Sequence, residues 1–270
     1  MTSVSQYRYD HVTRHVLMDD MTFSDKAPRP GERIPQFDLP LAGGGRVNTT
    51  DASGRKPMLL VTGSLSCPMT ASSNPMLKEM HQEFGRDIDF VMLQVREAHP
   101  GEYLEQPQSL DEKIEHARQL QQRDALPFPI AIDDVDGSVH QALDGKPNSV
   151  WLIDANGTIV YRALWVGDEA GLEQALDAAV RGVSPPLQES TRRLAPMAMG
   201  IGKMQEMTTR SGPRAQLDMW RAAPPMAAIS WIAGLYQPLP PKWRTIAAVG
   251  TVAVVMTAVM KAKSARRNNR

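Results

Sequence analysis

The feature that most constrains this chain is a single cysteine, Cys67, which lies where a predicted strand turns into a predicted helix. The apolar residues 58–61 precede it, and Pro68 follows it at the position that proline favours as the first residue of a helix. A helix N-terminus favours the thiolate over the thiol, so we expect a reactive sulfur with a lowered pKa. The alternative is an inert buried cysteine. Because the sequence has no second cysteine, any turnover requires a thiol from another molecule.

Charge divides the chain into two unlike parts, although the formal net charge is zero. Residues 1–190 carry 17 Lys or Arg against 28 Asp or Glu, whereas residues 191–270 carry 13 against 2. An acidic part with one free thiol is typical of a domain in a reducing compartment, so we expect it to be cytoplasmic.

Apolar strands alternate with helices over residues 28–183. Strands are predicted at 58–62, 89–95 and 128–132, and a hairpin at 149–165 precedes a last helix. Such alternation predicts parallel strands with helical crossovers, and the hairpin adds an antiparallel edge. The expected fold class is therefore α/β, with a central mixed sheet flanked by helices.

The ends of the chain have different compositions. Residues 1–27 are polar and predicted to be a poorly ordered arm, and the Met-, Pro- and Arg-rich residues 184–225 are predicted to be a linker or loosely packed helix. Residues 226–270 form an apolar, basic-flanked helical region, in which 246–260 carry no charge. With Thr245 that stretch spans about 24 Å, against roughly 30 Å for a hydrocarbon core.

This composition predicts a C-terminal membrane anchor, with snorkelling basic residues making up the missing length. The alternative is a buried helix that packs on the domain or on a partner, and a homodimer is one such assembly. The basic tail lacks interleaved aromatic residues, so an anionic membrane surface is favoured over nucleic acid.

Three short segments between residues 30 and 180 resemble the iodothyronine deiodinase family of the thioredoxin-like superfamily. Gly63-Ser64 followed by Cys67-Pro68 is similar to its Gly-Ser-Cys-Thr-selenocysteine-Pro segment, with Cys67 at the selenocysteine position. Residues 94–99 are similar to its strand ending in Glu-Ala-His, and residues 108–113 to its Arg-Ser-Leu-Glu-Asp-Arg helix start. The resemblance implies a thioredoxin-like fold and an oxidoreductase function.

The chain also departs from that family pattern. Pro107 and Gln108 stand where the family has a second histidine, and Leu65 replaces a cysteine. Sulfur at Cys67 is a weaker nucleophile than selenium. Residues 64–68 also resemble the Thr/Ser-x-x-Cys-Pro site of peroxiredoxins, although the deiodinase match is closer. Peroxidase activity and a non-catalytic membrane scaffold remain alternatives.

Glu97 and His99 are the predicted partners of Cys67 in catalysis. Parallel strands bring their carboxyl ends to one edge of a sheet, where ligands bind in open α/β folds. An imidazole transfers protons near neutral pH, and a carboxylate orients it. The alternative is a pair of solvated loop residues. His116, in a charged helix, is predicted to be solvated surface.

Three residues are predicted to bind substrate. Ser64 corresponds to the peroxiredoxin hydroxyl, and Pro147 to the proline that faces the sulfur in thioredoxin-like folds, with its isomer left open. Arg162 corresponds to the peroxiredoxin arginine, or else is an ordinary strand arginine. No His/Cys ligand cluster is present, so we expect no metal and no cofactor. The expected partners are a small-molecule substrate and a thiol reductant such as glutathione or thioredoxin.

Overall fold

The computed structural model describes residues 7–49, 56–183 and 187–268. The predicted segments 1–27, 184–225 and 226–270 thus extend in part outside the described residues. The strands are β1 (Asp38–Pro40), β2 (Arg46–Asn48), β3 (Met58–Gly63), β4 (Asp89–Gln94), β5 (Ile130–Ile132), β6 (Val150–Ile153), β7 (Ile159–Ala163) and β8 (Gln188–Ser190).

The helices before residue 183 are α1 (Arg14–Asp19), α2 (Pro68–Phe84), α3 (Leu110–Asp124), α4 (Ser138–Ala142) and α5 (Glu169–Val180). Those after it are α6 (Leu194–Ser211), α7 (Pro213–Ala222), α8 (Pro224–Ala233), a 3-10 turn (Gly234–Tyr236) and α9 (Pro241–Asn268).

The main sheet has the strand order β5-β4-β3-β6-β7-β8. β3 pairs in parallel with β4, and β4 with β5, whereas β6 is antiparallel to both β3 and β7. This arrangement, with a helix crossing between each parallel pair, confirms the predicted thioredoxin-like α/β fold.

Both faces of the sheet are buried, because side chains alternate along each strand. Leu59 and Val61 of β3 belong to the apolar cluster on one face, whereas Leu60 belongs to the cluster on the other. In the register of β3 with β4, Gly63 lies opposite Gln94. The turns that follow these two strands therefore leave the same edge of the sheet.

The N-terminal segment is ordered against the domain over residues 7–27, contrary to the prediction. The Tyr7 hydroxyl lies 2.9 Å from Nδ1 of His140, and Val12 belongs to an apolar cluster with Met204 and Met219 of α6 and α7. Burial of these apolar side chains offsets the conformational entropy that a free arm would keep.

The segment predicted to be a linker or loosely packed helix is largely helical, because α6 and α7 fall within it. Helix α6 packs on α2 so closely that a Cβ at Gly200 would lie 2.2 Å from the Met69 sulfur. The lack of a clear sequence period there is consistent with a helix that makes contacts on several sides. Met204 and Met207 of α6 are buried.

Helix α9 begins against α6 and then leaves the rest of the molecule. The Thr245 hydroxyl donates to the Ala198 carbonyl oxygen at 2.7 Å, and Ala248 is fully buried. Farther along, Val254, Met256 and Met260 are exposed. Among the described residues, Pro241–Ser264 is the one helical segment long and apolar enough to cross a membrane, with mean hydropathy 1.8 and 11% burial.

Candidate active site

Cys67 lies at the N-terminus of α2, as predicted, and its thiol is buried. It is the N-cap residue, with Pro68 in the first turn, and its sulfur accepts a hydrogen bond from the Thr70 amide at 3.5 Å. That bond favours the thiolate, but burial has the larger effect and raises the pKa of the Cys67 thiol. The predicted lowering of this pKa is therefore wrong.

Glu97 is fully buried and accepts hydrogen bonds on both carboxylate oxygens. Oε2 accepts from the Ser66 amide at 2.8 Å and from the Ser66 hydroxyl at 2.6 Å. Oε1 lies 3.3 Å from the Gln94 amide nitrogen and 3.0 Å from Nδ1 of His116. Burial by itself would raise the pKa of Glu97, but these bonds from His116 and Ser66 hold it below its usual value. Glu97 is thus not a solvated loop residue.

His99 is 5% exposed, so it too is not a solvated loop residue. Its backbone N–H donates to the Ser66 hydroxyl oxygen at 3.0 Å, which links it to the residue before Cys67. Nδ1 is buried and has no hydrogen-bond partner within residues 7–49, 56–183 and 187–268. Burial lowers the pKa of His99 to about 4, so its imidazole is neutral at pH 7.

Ser66 and His116 are polar partners that the sequence did not assign to the site. Ser66 joins both predicted partners of Cys67 through one hydroxyl, donating to Glu97 and accepting from His99. The His116 side chain is only 15% exposed because it turns inward to Glu97, so the prediction of solvated surface is wrong. Its spacing along α3 offered one signal, since it lies four residues before the buried Leu120 and therefore on the same face of the helix.

A cavity of about 80 Å³ lies beside Cys67. His99 and Pro147 contribute to its wall, and the peptide bond before Pro147 is trans. Apolar side chains form most of the remainder, and they come from the N-terminal segment, α2, the loop after β7, α6 and α8. They include Leu17, Met21, Met69, Trp165, Met197, Ile201, Met204 and Met226.

The other two predicted binding residues do not line this cavity. The Ser64 hydroxyl oxygen accepts from the Ala98 amide at 3.3 Å, so it ties the turn after β3 to the turn after β4. Arg162 lies elsewhere, with its guanidinium 2.7 Å from Oε2 of Glu189 and 4.6 Å from the ring centre of Phe23. The structure therefore does not bring Arg162 to Cys67.

Asp20 is a further polar residue of the cavity wall. Its carboxylate lies 3.8 Å from the Arg96 guanidinium, which itself lies between the rings of Tyr7 and Tyr9. No sequence signal marked Asp20, because its role depends on how residues 7–27 fold back onto the domain. In the described part of the chain, no group of three His, Cys, Asp or Glu side chains has the arrangement of a metal site.

The sheet order and the buried cysteine at this strand-to-helix turn are those of a thioredoxin-like fold. Residues 11–169 match the model of the family described as iodothyronine deiodinase. The chain belongs to that family.

Curated relatives with the same family name are distant. Thyroxine 5-deiodinase of Ovis aries is 27% identical over 120 residues, which cover 41% of this chain and 40% of that protein. The Homo sapiens protein of the same name is also 27% identical over 120 residues, and the match covers 39% of that protein. The chain spans about two fifths of the length of these relatives.

The solved structure of an uncharacterized conserved protein from Geobacillus kaustophilus is similar in fold. It has a TM-score of 0.50 and 19% identity, and the match covers 63% of this chain and 90% of that one. At this identity the likeness supports the fold alone.

Proposed function

We propose that this protein is a thiol-dependent reductive enzyme in which Cys67 is the nucleophile and an external thiol restores it. One observation carries the proposal: the only cysteine of the sequence and the buried imidazole of His99 line the same apolar cavity. Nucleophilic thiol chemistry requires a thiol and a proton acceptor, and a water-poor surface around them favours it.

With an iodinated aromatic substrate, the Cys67 sulfur attacks iodine. The S–I bond forms, the C–I bond breaks, and the ring carbon takes up a proton. A first external thiol displaces iodide to give a mixed disulfide, and a second releases Cys67 and leaves the external disulfide. Glutathione and thioredoxin are the reductants we propose, and no cofactor takes part.

His99 and Glu97 have distinct roles in this proposal. Because burial raises the pKa of Cys67 and lowers that of His99, the resting pair is a thiol and a neutral imidazole. His99 accepts the thiol proton as the sulfur attacks, and Glu97 fixes the loop that carries His99 by holding Ser66.

The cavity volume favours a second substrate, a small hydroperoxide. At about 80 Å³ the cavity is smaller than the roughly 150 Å³ cavity that accommodates benzene in an engineered protein. An aromatic iodide therefore requires the methionines of α6 to move, whereas a hydroperoxide of few atoms does not. In that reaction an S–O bond forms and the O–O bond breaks, which releases an alcohol, or water from hydrogen peroxide. Two external thiols then reduce the sulfenic acid to thiol and water and leave as their disulfide.

Helix α9 is proposed as a membrane anchor that leaves the catalytic domain in the cytoplasm. Its exposed apolar length supports anchoring, and a reduced, unpaired cysteine is compatible with that compartment. A homodimer through this face is the alternative assembly.

The test is turnover of 3-iodophenol and of hydrogen peroxide with glutathione or thioredoxin as reductant. Cys67→Ser is expected to abolish turnover, and His99→Ala to reduce it about 10²-fold or more while the protein stays folded. If Cys67→Ser retains the wild-type rate, the mechanism is wrong. If wild type turns over neither substrate, the non-catalytic scaffold is favoured.

A further inference from the structure

Two residues that line the Cys67 cavity each carry a buried polar atom with no hydrogen-bond partner among the residues that the structure describes. These atoms are Nδ1 of His99 and Oδ1 of Asp20. Buried polar groups in folded proteins are almost always paired, and those that are not indicate a missing ligand or a functional role. Both belong to residues of a wall that is otherwise mostly apolar, and Asp20 and His99 are its ionisable side chains besides Cys67.

Asp20 is held at this place by residues outside the cavity wall. Arg96 approaches its Oδ1 to 3.8 Å, too far for a hydrogen bond, so that oxygen keeps its capacity to accept one. The guanidinium lies 5.0 Å from the Tyr7 ring centre and 5.1 Å from that of Tyr9. Arg96 also donates its backbone N–H to the Tyr7 hydroxyl oxygen at 3.2 Å.

These contacts fix Arg96, and Arg96 in turn attracts the Asp20 carboxylate to its position in the cavity wall. The chain would otherwise leave an acidic residue beside a buried thiol, where it disfavours the thiolate that the reaction needs. The placement of Asp20 beside Cys67 disfavours the thiolate, and binding of a ligand by the Asp20 carboxylate would explain why an acidic residue lies there.

We propose that Asp20, with His99, forms the ligand-binding part of the cavity wall, and that Asp20 Oδ1 accepts a hydrogen bond from the O–H group of an electrophile while His99 accepts the thiol proton. The ligand class is a protic electrophile, either a phenolic iodide or a hydroperoxide, whose apolar part lies against Met197 and Met204. This inference rests on the proposed function of Cys67 as the nucleophile, and it adds a binding residue from the N-terminal segment.

The ionisation of Asp20 provides a direct test. Burial raises the pKa of Asp20 to about 7, and the attractions of Arg96 and Lys146 only partly oppose this. The other titratable groups near the carboxylate are Asp19, Tyr9, Cys67 and His99. A carboxylate that ionises near pH 7 beside the sulfur repels an anionic reagent above that pH and not below it.

Alkylation of Cys67 measures this repulsion without any turnover. Iodoacetamide is neutral and iodoacetate is anionic, and intact mass reports Cys67 alone because the sequence has one cysteine. Ionisation of the thiol affects both reagents alike and cancels in the ratio of their rates. In wild type we expect the iodoacetamide-to-iodoacetate ratio to rise about threefold or more between pH 6 and pH 8.

Asp20→Asn should make that ratio independent of pH. Asp25→Asn is the matched control, because it removes an equal charge from the same segment at a fully exposed side chain, and it should keep the wild-type profile. A wild-type ratio that does not change with pH, or one that changes equally in Asp20→Asn, overturns the inference. Labelling by neither reagent without denaturant also overturns it, since the cavity then admits no small molecule.

Turnover separates this inference from the function on which it rests. If Cys67 is the nucleophile, Asp20→Asn should raise KM for 3-iodophenol or hydrogen peroxide by about tenfold, with a smaller effect on kcat. An unchanged KM in an active enzyme refutes the role of Asp20 and leaves the proposed function intact. If the wild type is inactive but shows the pH-dependent alkylation ratio, the proposed function is refuted. The assignment of Asp20 to the cavity wall then still holds.

Discussion

Nδ1 of His116 lies 3.0 Å from Oε1 of Glu97, a carboxylate with no exposed surface. The two residues come from α3 and from the loop after β4, and together they close one side of the Cys67 turn. Since Glu97 also holds Ser66, the contact connects a helix that does not line the cavity to the residue preceding the sulfur. The local order of the site therefore depends on α3.

His116→Ala removes one partner from this buried carboxylate. We expect the free energy of unfolding to fall by about 1–3 kcal/mol, the usual cost of leaving a buried polar group short of a hydrogen bond. Urea unfolding measures it. Gln119→Ala is the control, because Gln119 lies on the exposed face of the same helix and should change stability by less than about 0.5 kcal/mol. Equal effects of the two variants would contradict the role assigned to His116.

The pKa of His99 makes a definite contribution to the pH dependence of stability. Burial lowers it from 6.5 to about 4, so between these values the unfolded chain binds a proton that the native protein does not. Lowering the pH through this window therefore favours unfolding, and this contribution to stability is smaller at pH 5 than at pH 7 by about 2 kcal/mol.

His99→Gln should lose this contribution. The quantity to compare is the change in unfolding free energy from pH 7 to pH 5 in the variant and in wild type, measured with urea. The comparison is needed because Asp20, whose pKa is raised to about 7, acts in the opposite direction as the pH falls. If both proteins show the same change, the imidazole is not buried in its neutral form.

Two glycines test how α9 is attached to α6. A Cβ at Gly202 would lie 2.0 Å from the Pro241 carbonyl oxygen, whereas a Cβ at Gly250 has no neighbour within 4 Å among the described residues. Gly202→Ala should lower the free energy of unfolding by about 1–3 kcal/mol through overpacking. Gly250→Ala should raise it by about 0.5–1 kcal/mol, because alanine is the better helix former. Thermal unfolding in mild detergent compares them, and a stable Gly202→Ala variant would contradict this close packing.

Membrane attachment is expected to depend on the exposed end of α9. A chain ending at Val252 keeps the contacts of Thr245 and Ala248 with the domain but lacks the exposed apolar residues that follow. The full chain should sediment with lipid vesicles and resist carbonate, and the shortened chain should stay in solution with its Cys67 chemistry unchanged. Co-sedimentation of the shortened chain would place the membrane contact elsewhere, and protease protection in sealed vesicles tests the cytoplasmic location of the domain.

The sequence by itself determined the sheet, the position of Cys67 and the placement of Glu97 and His99 near it. These features follow from short-range patterns: apolar strands, a proline after the cysteine, and the rule that parallel strands end at one edge. The same local reasoning was wrong for the pKa of Cys67, because the helix terminus is a local property whereas burial comes from α6, α8 and residues 7–27, which lie far away in the sequence.

Only the tertiary structure decided which residues complete the site. The His116 side chain turns inward, where it contacts the buried carboxylate of Glu97. Asp20 reaches the cavity because residues 7–27 fold back onto the domain, where Arg96 lies between Tyr7 and Tyr9 and attracts the Asp20 carboxylate. Arg162 is placed away from the cavity by its pairing with Glu189. Each of these contacts joins residues that lie far apart in the sequence, so no local periodicity of the sequence predicts it. The geometry of the contacts is set by burial and by the pairing of buried charges.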